Sequence, residues 1–284
     1  MATLAAEVAD RREVLPGLDL VTIHAPPIAS AARAGQFLYL LAQDDTGLAR
    51  LKPFAIVIAD PVGGTVAIQV GPAAGGPVGR LRPGDALSVS GPVGRQFEVD
   101  ARSRHLLLVA EGDRAAELRL LADESVRAGR QVTLLAGAAT ARDVWPSSLL
   151  PDEVEYVVAT ADGTLGRRGD VVDLMPEYEA WADQAFAAAS PATLARLSKL
   201  AASRRGRMGV ATLGRKRGSG RADPAGSAAA RRRSFLQVRI EPPVGCAAAT
   251  CLGCTVVGIA GAPVRTCREG PIFASDELDW EAAS

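Results

Sequence analysis

The only four cysteines in this chain of 284 residues, Cys246, Cys251, Cys254 and Cys267, crowd towards its C-terminal end as C-x4-C-x2-C-x12-C. Thiolates share a metal centre only when short loops bring their sulfurs within bonding reach of the same iron or zinc. These intervals are short enough. Gly245, Ala247, Ala248, Ala249 and Gly253 are small, so the backbone can wrap a metal centre closely and aim amide N–H groups at the sulfurs. After Cys254, the run Thr255 to Ile259, the break Ala260-Gly261-Ala262-Pro263 and the run Val264 to Thr266 read as a hairpin that returns the chain to Cys267.

The C-x4-C-x2-C spacing with a more distant fourth cysteine is the plant-type pattern that holds a [2Fe–2S] cluster by four thiolates. Zinc would use the same ligands, but structural zinc draws on two close pairs and only one is present here. Disulfides are the third alternative. They need an oxidising compartment, whereas Met1 to Arg12 mixes Glu7, Asp10, Arg11 and Arg12 and holds no apolar core of a signal peptide. A cytoplasmic location is expected, and no membrane contact: runs such as Leu106 to Ala110 and Val132 to Ala136 have strand length, not the ~20 residues of a span.

Three kinds of element must position the cysteines. Up to residue 101, short apolar or alternating runs punctuated by Gly and Pro (Leu18 to Ile23, Gln36 to Ala42, Phe54 to Ile58, Thr65 to Val70, Ala86 to Ser90) have the rhythm of an antiparallel β-barrel, with no helix of useful length. Over residues 102–203 the pattern becomes βαβ. Strand His105 to Ala110, helix Asp113 to Arg127 and strand Gln131 to Ala136 are followed by strands at Val154 to Ala159 and Asp183 to Ala187 and a helix from Pro191 to Ala202. An open parallel sheet is the packing this predicts. Residues 204–233 form a basic linker with ten Lys or Arg against the single acid Asp223, and because 32 basic and 32 acidic residues balance over the whole chain, the rest of it is acidic. No aromatic is interleaved to stack a base, so the linker is read as solvated and nucleic-acid binding as unlikely. A strand Leu236 to Ile240 then opens a cysteine module over 234–284.

Barrel, α/β domain and C-terminal [2Fe–2S] module in that order resemble the ferredoxin-reductase superfamily, specifically the electron-transfer subunits of class 1B dihydroorotate dehydrogenase. Gly35-Gln36-Phe37, Lys52-Pro53-Phe54-Ala55-Ile56, Arg82-Pro83-Gly84-Asp85, Ser90-Gly91-Pro92-Val93-Gly94, Thr160 to Gly166 and Cys267-Arg268-Glu269-Gly270-Pro271-Ile272-Phe273 carry the resemblance. It implies FAD on the barrel, NAD(H) at the α/β domain, and a cluster that relays electrons to a partner flavin dehydrogenase. That partner would be a dihydroorotate dehydrogenase of pyrimidine biosynthesis, in a hetero-oligomer. The implied flavin residues are Lys52, Pro53, Phe54 and Ala55, where the family has Arg-Pro-x-Ser, and Gln69, Val70, Gly75 and Gly76 around the second flavin motif, where the family's Gly-Thr pair is missing.

The dinucleotide side departs further. The glycine-rich turn that lets a phosphate approach a helix start reads Ala110-Glu111-Gly112-Asp113-Arg114-Ala115-Ala116, and the family's Cys-Gly-Pro appears as Ala189-Ser190-Pro191. Asp113 is expected to cap the helix in place of an anion, leaving NAD(H) poorly received. The alternative is a degenerate paralogue that carries a cluster within another oxidoreductase complex and binds neither FAD nor NAD(H). A zinc-stabilised nucleic-acid-binding protein is the remaining possibility. His24 and His105 have no recognisable nucleophile beside them, and Trp145, Trp181 and Trp280 read as packing residues, with Trp280 placed where a partner could meet it.

Overall fold

The computed structural model describes residues 3–43, 49–207, 234–241 and 251–281. Strands β1 (Thr3–Leu15), β2 (Leu18–His24), β3 (Phe37–Gln43), β4 (Ala49–Asp60), β5 (Thr65–Val70) and β6 (Ala86–Val93) close a barrel in the order β1-β2-β5-β4-β3-β6. All its pairings are antiparallel. Period-2 alternation fills the interior: Val66, Ile68 and Val70 of β5 are each at most 1% exposed. Strand β1 fully buries only Val8, with Leu4, Ala6, Val14 and Leu15 partly buried against the core. Ladders to β2 on one side and β6 on the other add to that hold. The helix not expected here, α1 (Pro26–Ala31), is a single short element that starts on proline and buries Ile28 and Ala29.

The second half contains β7 (His105–Glu111), α2 (Ala116–Arg127), β8 (Gln131–Ala138), β9 (Glu155–Thr160), β10 (Arg167–Arg168), α3 (Val171–Tyr178), β11 (Gln184–Ala188), α4 (Pro191–Arg207), β12 (Leu236–Arg239), β13 (Thr255–Val257), β14 (Pro263–Arg265) and β15 (Ile272–Ala274). A seven-stranded sheet runs β10-β9-β8-β7-β11-β12-β15, parallel except for the last pair, while β13 and β14 form their own hairpin. Leu107, Val109, Ala185, Ala187 and Val238 are all fully buried, as expected where helices cover both faces of a sheet. The sequence pattern hides α3 behind Pro176, yet a capping box between Asp170 and Asp173 starts the helix and Val171, Leu174 and Met175 anchor it. Helix α4 runs past its expected end at Ala202. The Arg204 guanidinium donates to the carbonyls of Glu179 and Ala182, each at 3.0 Å, and lies 3.8 Å over the Phe235 ring. That arginine is therefore packed, and the remainder of the expected basic linker, residues 208–233, lies outside the described residues.

Two strands of the expected C-terminal module, β12 and β15, are the sixth and seventh strands of the sheet, so the β13–β14 hairpin is an excursion between sheet strands. Barrel and sheet meet through the segment 94–104. The buried amides of Gln237 and Gln184 bind its backbone: the Glu98 and Asp100 N–H groups donate to them at 2.9 and 2.7 Å, and Gln237 returns a bond to the Glu98 carbonyl at 2.5 Å. Phe97 of the segment meets Phe186 of β11 edge to face at 5.5 Å.

Glycine is required at the junction of barrel and cysteine loop. Gly94 has φ +83°, the Arg95 N–H donates to the Gly270 carbonyl at 2.7 Å, and a Cβ on Gly94 would stand 2.5 Å from Pro271 Cδ and 2.8 Å from Phe37. Gly84, in the Arg82–Asp85 turn, has φ +90° but open space around it. Gly84→Ala should therefore cost only the left-handed penalty of about 1–2 kcal/mol. Gly94→Ala adds overpacking of roughly 1–3 kcal/mol. Urea denaturation of the two variants checks this, and equal losses would show that the junction is not tightly packed.

Candidate functional site

Register in the β13–β14 hairpin pairs Thr255 with Arg265, Val256 with Val264 and Val257 with Pro263, which leaves Cys254 and Thr266 facing each other at its open end. Thr266, itself fully buried, donates both its backbone N–H and its hydroxyl to the Cys254 carbonyl, at 3.0 and 3.1 Å. The sulfurs of Cys254 and Cys267 consequently lie 3.1 Å apart, beyond the ~2.05 Å of a disulfide bond. Both are buried against Phe37 and Tyr39 of the barrel wall, a T-shaped aromatic pair with centroids 5.2 Å apart. Cys251 is exposed on the adjoining turn, where the Gly253 N–H points at its sulfur at 3.4 Å and Leu252 takes φ +57°. Cys246 lies outside the described residues, and among the described residues no group of three or more metal-ligating side chains converges. Arg265, a candidate for tuning charge near the sulfurs, is clasped by Glu269 through contacts of 2.6 and 3.1 Å, while Arg268 is mostly exposed.

A cavity of about 690 Å³ opens between the barrel and the sheet. Five of the eight sequence-predicted flavin residues line it: Lys52, Pro53, Phe54 and Ala55 from β4, and Gln69 from β5. Val70 does not; the pleat turns it into the barrel core, where it is 1% exposed. Gly75 and Gly76 have φ +54° and +51°, and Gly75 passes close enough that a Cβ on it would stand 3.9 Å from Lys52 Nζ. The Lys52 ammonium donates to the Ala74 carbonyl. Gln69 donates to Asp113 at 3.0 Å, and its own Oε1 is buried without a hydrogen-bond partner. Asp113 thus reaches across to the barrel and does not cap α2, whose start has no side-chain cap.

The cavity floor holds charges that the motif reading missed. Arg239, 2% exposed, pairs with Glu117 at 2.5 Å; Arg114 pairs with Glu241 at 2.9 Å and lies 3.7 Å from Glu117. Burial raises the Glu117 carboxyl above its ordinary value even though Arg239 and Arg114 pull it down. One signal was readable: Arg239 is the charged residue in the apolar run Leu236 to Ile240, and a charge there demands a partner.

The Thr160 to Gly166 motif closes on itself. The Thr160 hydroxyl donates to the Leu165 carbonyl at 2.8 Å, and Thr164 donates to Asp162 through hydroxyl and amide, which lowers the Asp162 carboxyl. His105 stacks on Trp181 at 4.9 Å beside Asp183, Trp145 is 1% exposed, and the Trp280 N–H donates to the Ser275 carbonyl at 2.7 Å.

No protein-family model matches the chain. It is 26% identical over 276 residues to the dihydroorotate dehydrogenase B (NAD(+)) electron transfer subunit of Desulforamulus reducens, covering 94% of this chain and 95% of that protein. Identity to the subunit of the same name from Shouchella clausii is 25% over 254 residues, 87% and 86% of the two chains. Among solved structures, one of an NADH-dependent reduced ferredoxin–NADP oxidoreductase, described for flavin-based electron bifurcation, superposes with TM-score 0.75 at 20% identity and covers 97% of this chain and 90% of its own. The ferredoxin reductase of carbazole 1,9a-dioxygenase superposes with TM-score 0.59 at 20% identity, over 70% and 65%. The fold is ferredoxin-reductase-like, and the resemblance read from the motifs extends over most of the chain.

The Glu117–Arg239 pair permits a thermodynamic check. Removing one partner of a buried pair strands the other charge and costs about 3–5 kcal/mol, whereas replacing both with apolar groups is near neutral. Glu117→Leu and Arg239→Met should each lose about that much stability in chemical denaturation, and the double variant should recover most of it. Additive losses would mean that the two charges do not compensate each other.

Proposed function

We propose that this chain, a relative of the dihydroorotate dehydrogenase B electron transfer subunits, is an electron-transfer subunit that carries a [2Fe–2S] cluster and FAD and passes electrons to a partner flavin dehydrogenase. Dihydroorotate dehydrogenase is the partner that its relatives' names point to. The observation that carries the reading is the paired, buried sulfurs of Cys254 and Cys267 seated on the wall of the same barrel that lines the large cavity.

The donor set fits a cluster: soft thiolates, an amide N–H aimed at Cys251, and small residues throughout the loop. Cys246, Cys251, Cys254 and Cys267 would hold it. The cavity fits a flavin, because a positive side chain stands beside glycine backbone, as a diphosphate requires, and the buried Gln69 Oε1 awaits a donor such as the flavin ring N–H. Lys52 supplies a point charge in place of the arginine fork, Gly75 keeps the backbone close, and Phe54 and Pro53 give the cavity apolar walls. When bound, a flavin exchanges electrons singly or in pairs and the cluster singly. The chain's own part is to exclude water with Phe37 and Tyr39, to orient the sulfurs through Thr266, and to keep the two sites on neighbouring strands of one barrel wall, where Phe37 and Tyr39 pair with Ala55 and Pro53 of the cavity lining. Among the described residues no helix is long and apolar enough to cross a membrane.

Anaerobically purified protein should contain about two irons and matching acid-labile sulfide per chain, together with flavin absorption. Cys254→Ser or Cys267→Ser should remove the iron and leave the flavin; Lys52→Ala should weaken flavin retention and leave the iron. Folded protein containing zinc or no metal would end this reading, and iron without flavin would favour the cluster-only paralogue.

A further inference from the structure

The relatives' names include NAD(+), so the place where an α/β sheet of this kind takes a dinucleotide can be tested against the residues that occupy it. Ligands of open α/β sheets bind beyond the carboxyl ends of the strands, at the point where strand order reverses. Here that point lies between β7 and β11, because β7 is followed by β8 on one side while β11 and β12 continue on the other. Glu111 is the last residue of β7. Its carboxylate accepts the backbone N–H of Ser190 at 2.8 Å, and Ser190 immediately precedes Pro191, the first residue of the 17-residue helix α4. The amide at the head of that helix, a natural anion seat, is thus held by an anion of the chain's own.

The turn that should cradle a diphosphate is also committed. Residues Gly112–Ala115 form a 3-10 turn with one glycine; Asp113 is bonded to Gln69 of the barrel, and Arg114 is paired with Glu241 and Glu117. Arg239 is paired with Glu117. An entering diphosphate would meet the carboxylates of Glu111, Asp113, Glu117 and Glu241, with both neighbouring guanidinium groups already neutralised. The residues do not fit NAD(H).

We infer that Glu111, bound to the Ser190 amide across the strand-order reversal, is a built-in occupant that closes the dinucleotide crevice, so that this chain accepts electrons from a donor other than a nicotinamide nucleotide. The inference rests on the electron-relay reading for its physiological meaning, but the crevice can be probed alone. The full-length chain, with the cofactors it carries, is titrated with NADH and separately with ADP-ribose, and binding is followed by calorimetry and by saturation-transfer NMR. The wild-type protein should bind neither at about 1 mM. Glu111→Ala/Asp113→Ala should bind ADP-ribose at least tenfold more tightly than the wild type. Glu111→Gln keeps the acceptor for Ser190 and removes only the charge, so it should stay closed; it also serves if the double variant misfolds, because opening by charge removal alone would overturn the claim that the side chain occupies the seat. Submillimolar NADH binding by the wild type would overturn the inference. So would a folded double variant that still binds nothing, since Glu111 would then not be what closes the crevice. Iron and flavin contents of the same samples report separately on the relay reading, so either can fail without the other.

Discussion

Everything in the cavity depends on how the irregular segment 94–104 is held. A segment without its own ladder must find partners for its amides elsewhere, because buried unpaired backbone groups are expensive. Two glutamines on adjacent strands supply those of Glu98 and Asp100: Gln184 on β11 and Gln237 on β12, both nearly inaccessible to water, while Arg95 and Phe97 donate to the Gly270 and Ala34 carbonyls. Their side chains offer donor and acceptor together, as a strand would, and so act as substitute backbone. The barrel is fixed at one angle to the sheet, and the cavity between Lys52 on one wall and Arg239 on the other is the consequence. Leucine at these positions could make no hydrogen bond to the segment.

The same arrangement explains why the cysteine hairpin needs no core of its own. It leaves the sheet after β12 and returns as β15, and it is pinned where the Gly270 carbonyl meets Arg95 and the Pro271 carbonyl meets Ile240. Small hairpins of this size bury too little apolar surface to stand alone. Phe37, Tyr39, Leu51 and Val93 of the barrel provide the missing surface. Cys254 and Cys267 are buried on the outward face of the barrel wall, where the register sets Phe37 and Tyr39 beside Ala55 and Pro53 of the cavity lining.

Much of this was legible beforehand, for identifiable reasons. The barrel strands alternate and are bounded by glycine and proline, β7 and β8 are predominantly apolar runs of strand length, and the cysteines carry their own spacing. Strand β1 was not legible because Asp10 to Glu13 interrupt its apolar alternation, which survives only at Leu4, Ala6 and Val8 and again at Val14 and Leu15. Helix α3 was hidden by Pro176, although Asp170 and Asp173 spell its cap. At the site, local motifs pointed to Lys52 through Ala55 and to Gln69, but Val70 faced the wrong way because a pleat alternates where a motif does not. Glu117, Arg239, Arg114 and Glu241 come from segments up to 127 residues apart, and only folding brings them together. Asp113 shows the limit of local reasoning most plainly: its position fits a cap, yet a barrel glutamine offered it a partner.

Keeping this fold while losing a glycine turn is physically inexpensive. The sheet requires only that something satisfy the amides at the carboxyl ends of β7 and β11, and a bound phosphate or a side-chain carboxylate serves that need equally well. A permanent carboxylate stabilises the apo protein without ligand and leaves α4 anchored, which in turn supports Phe235, Leu236 and the strand that launches the cysteine loop. An internal anion at the reversal point and an ordered cysteine hairpin are therefore linked through α4 and β12. The crevice can close to dinucleotides while the path to the sulfurs keeps its geometry.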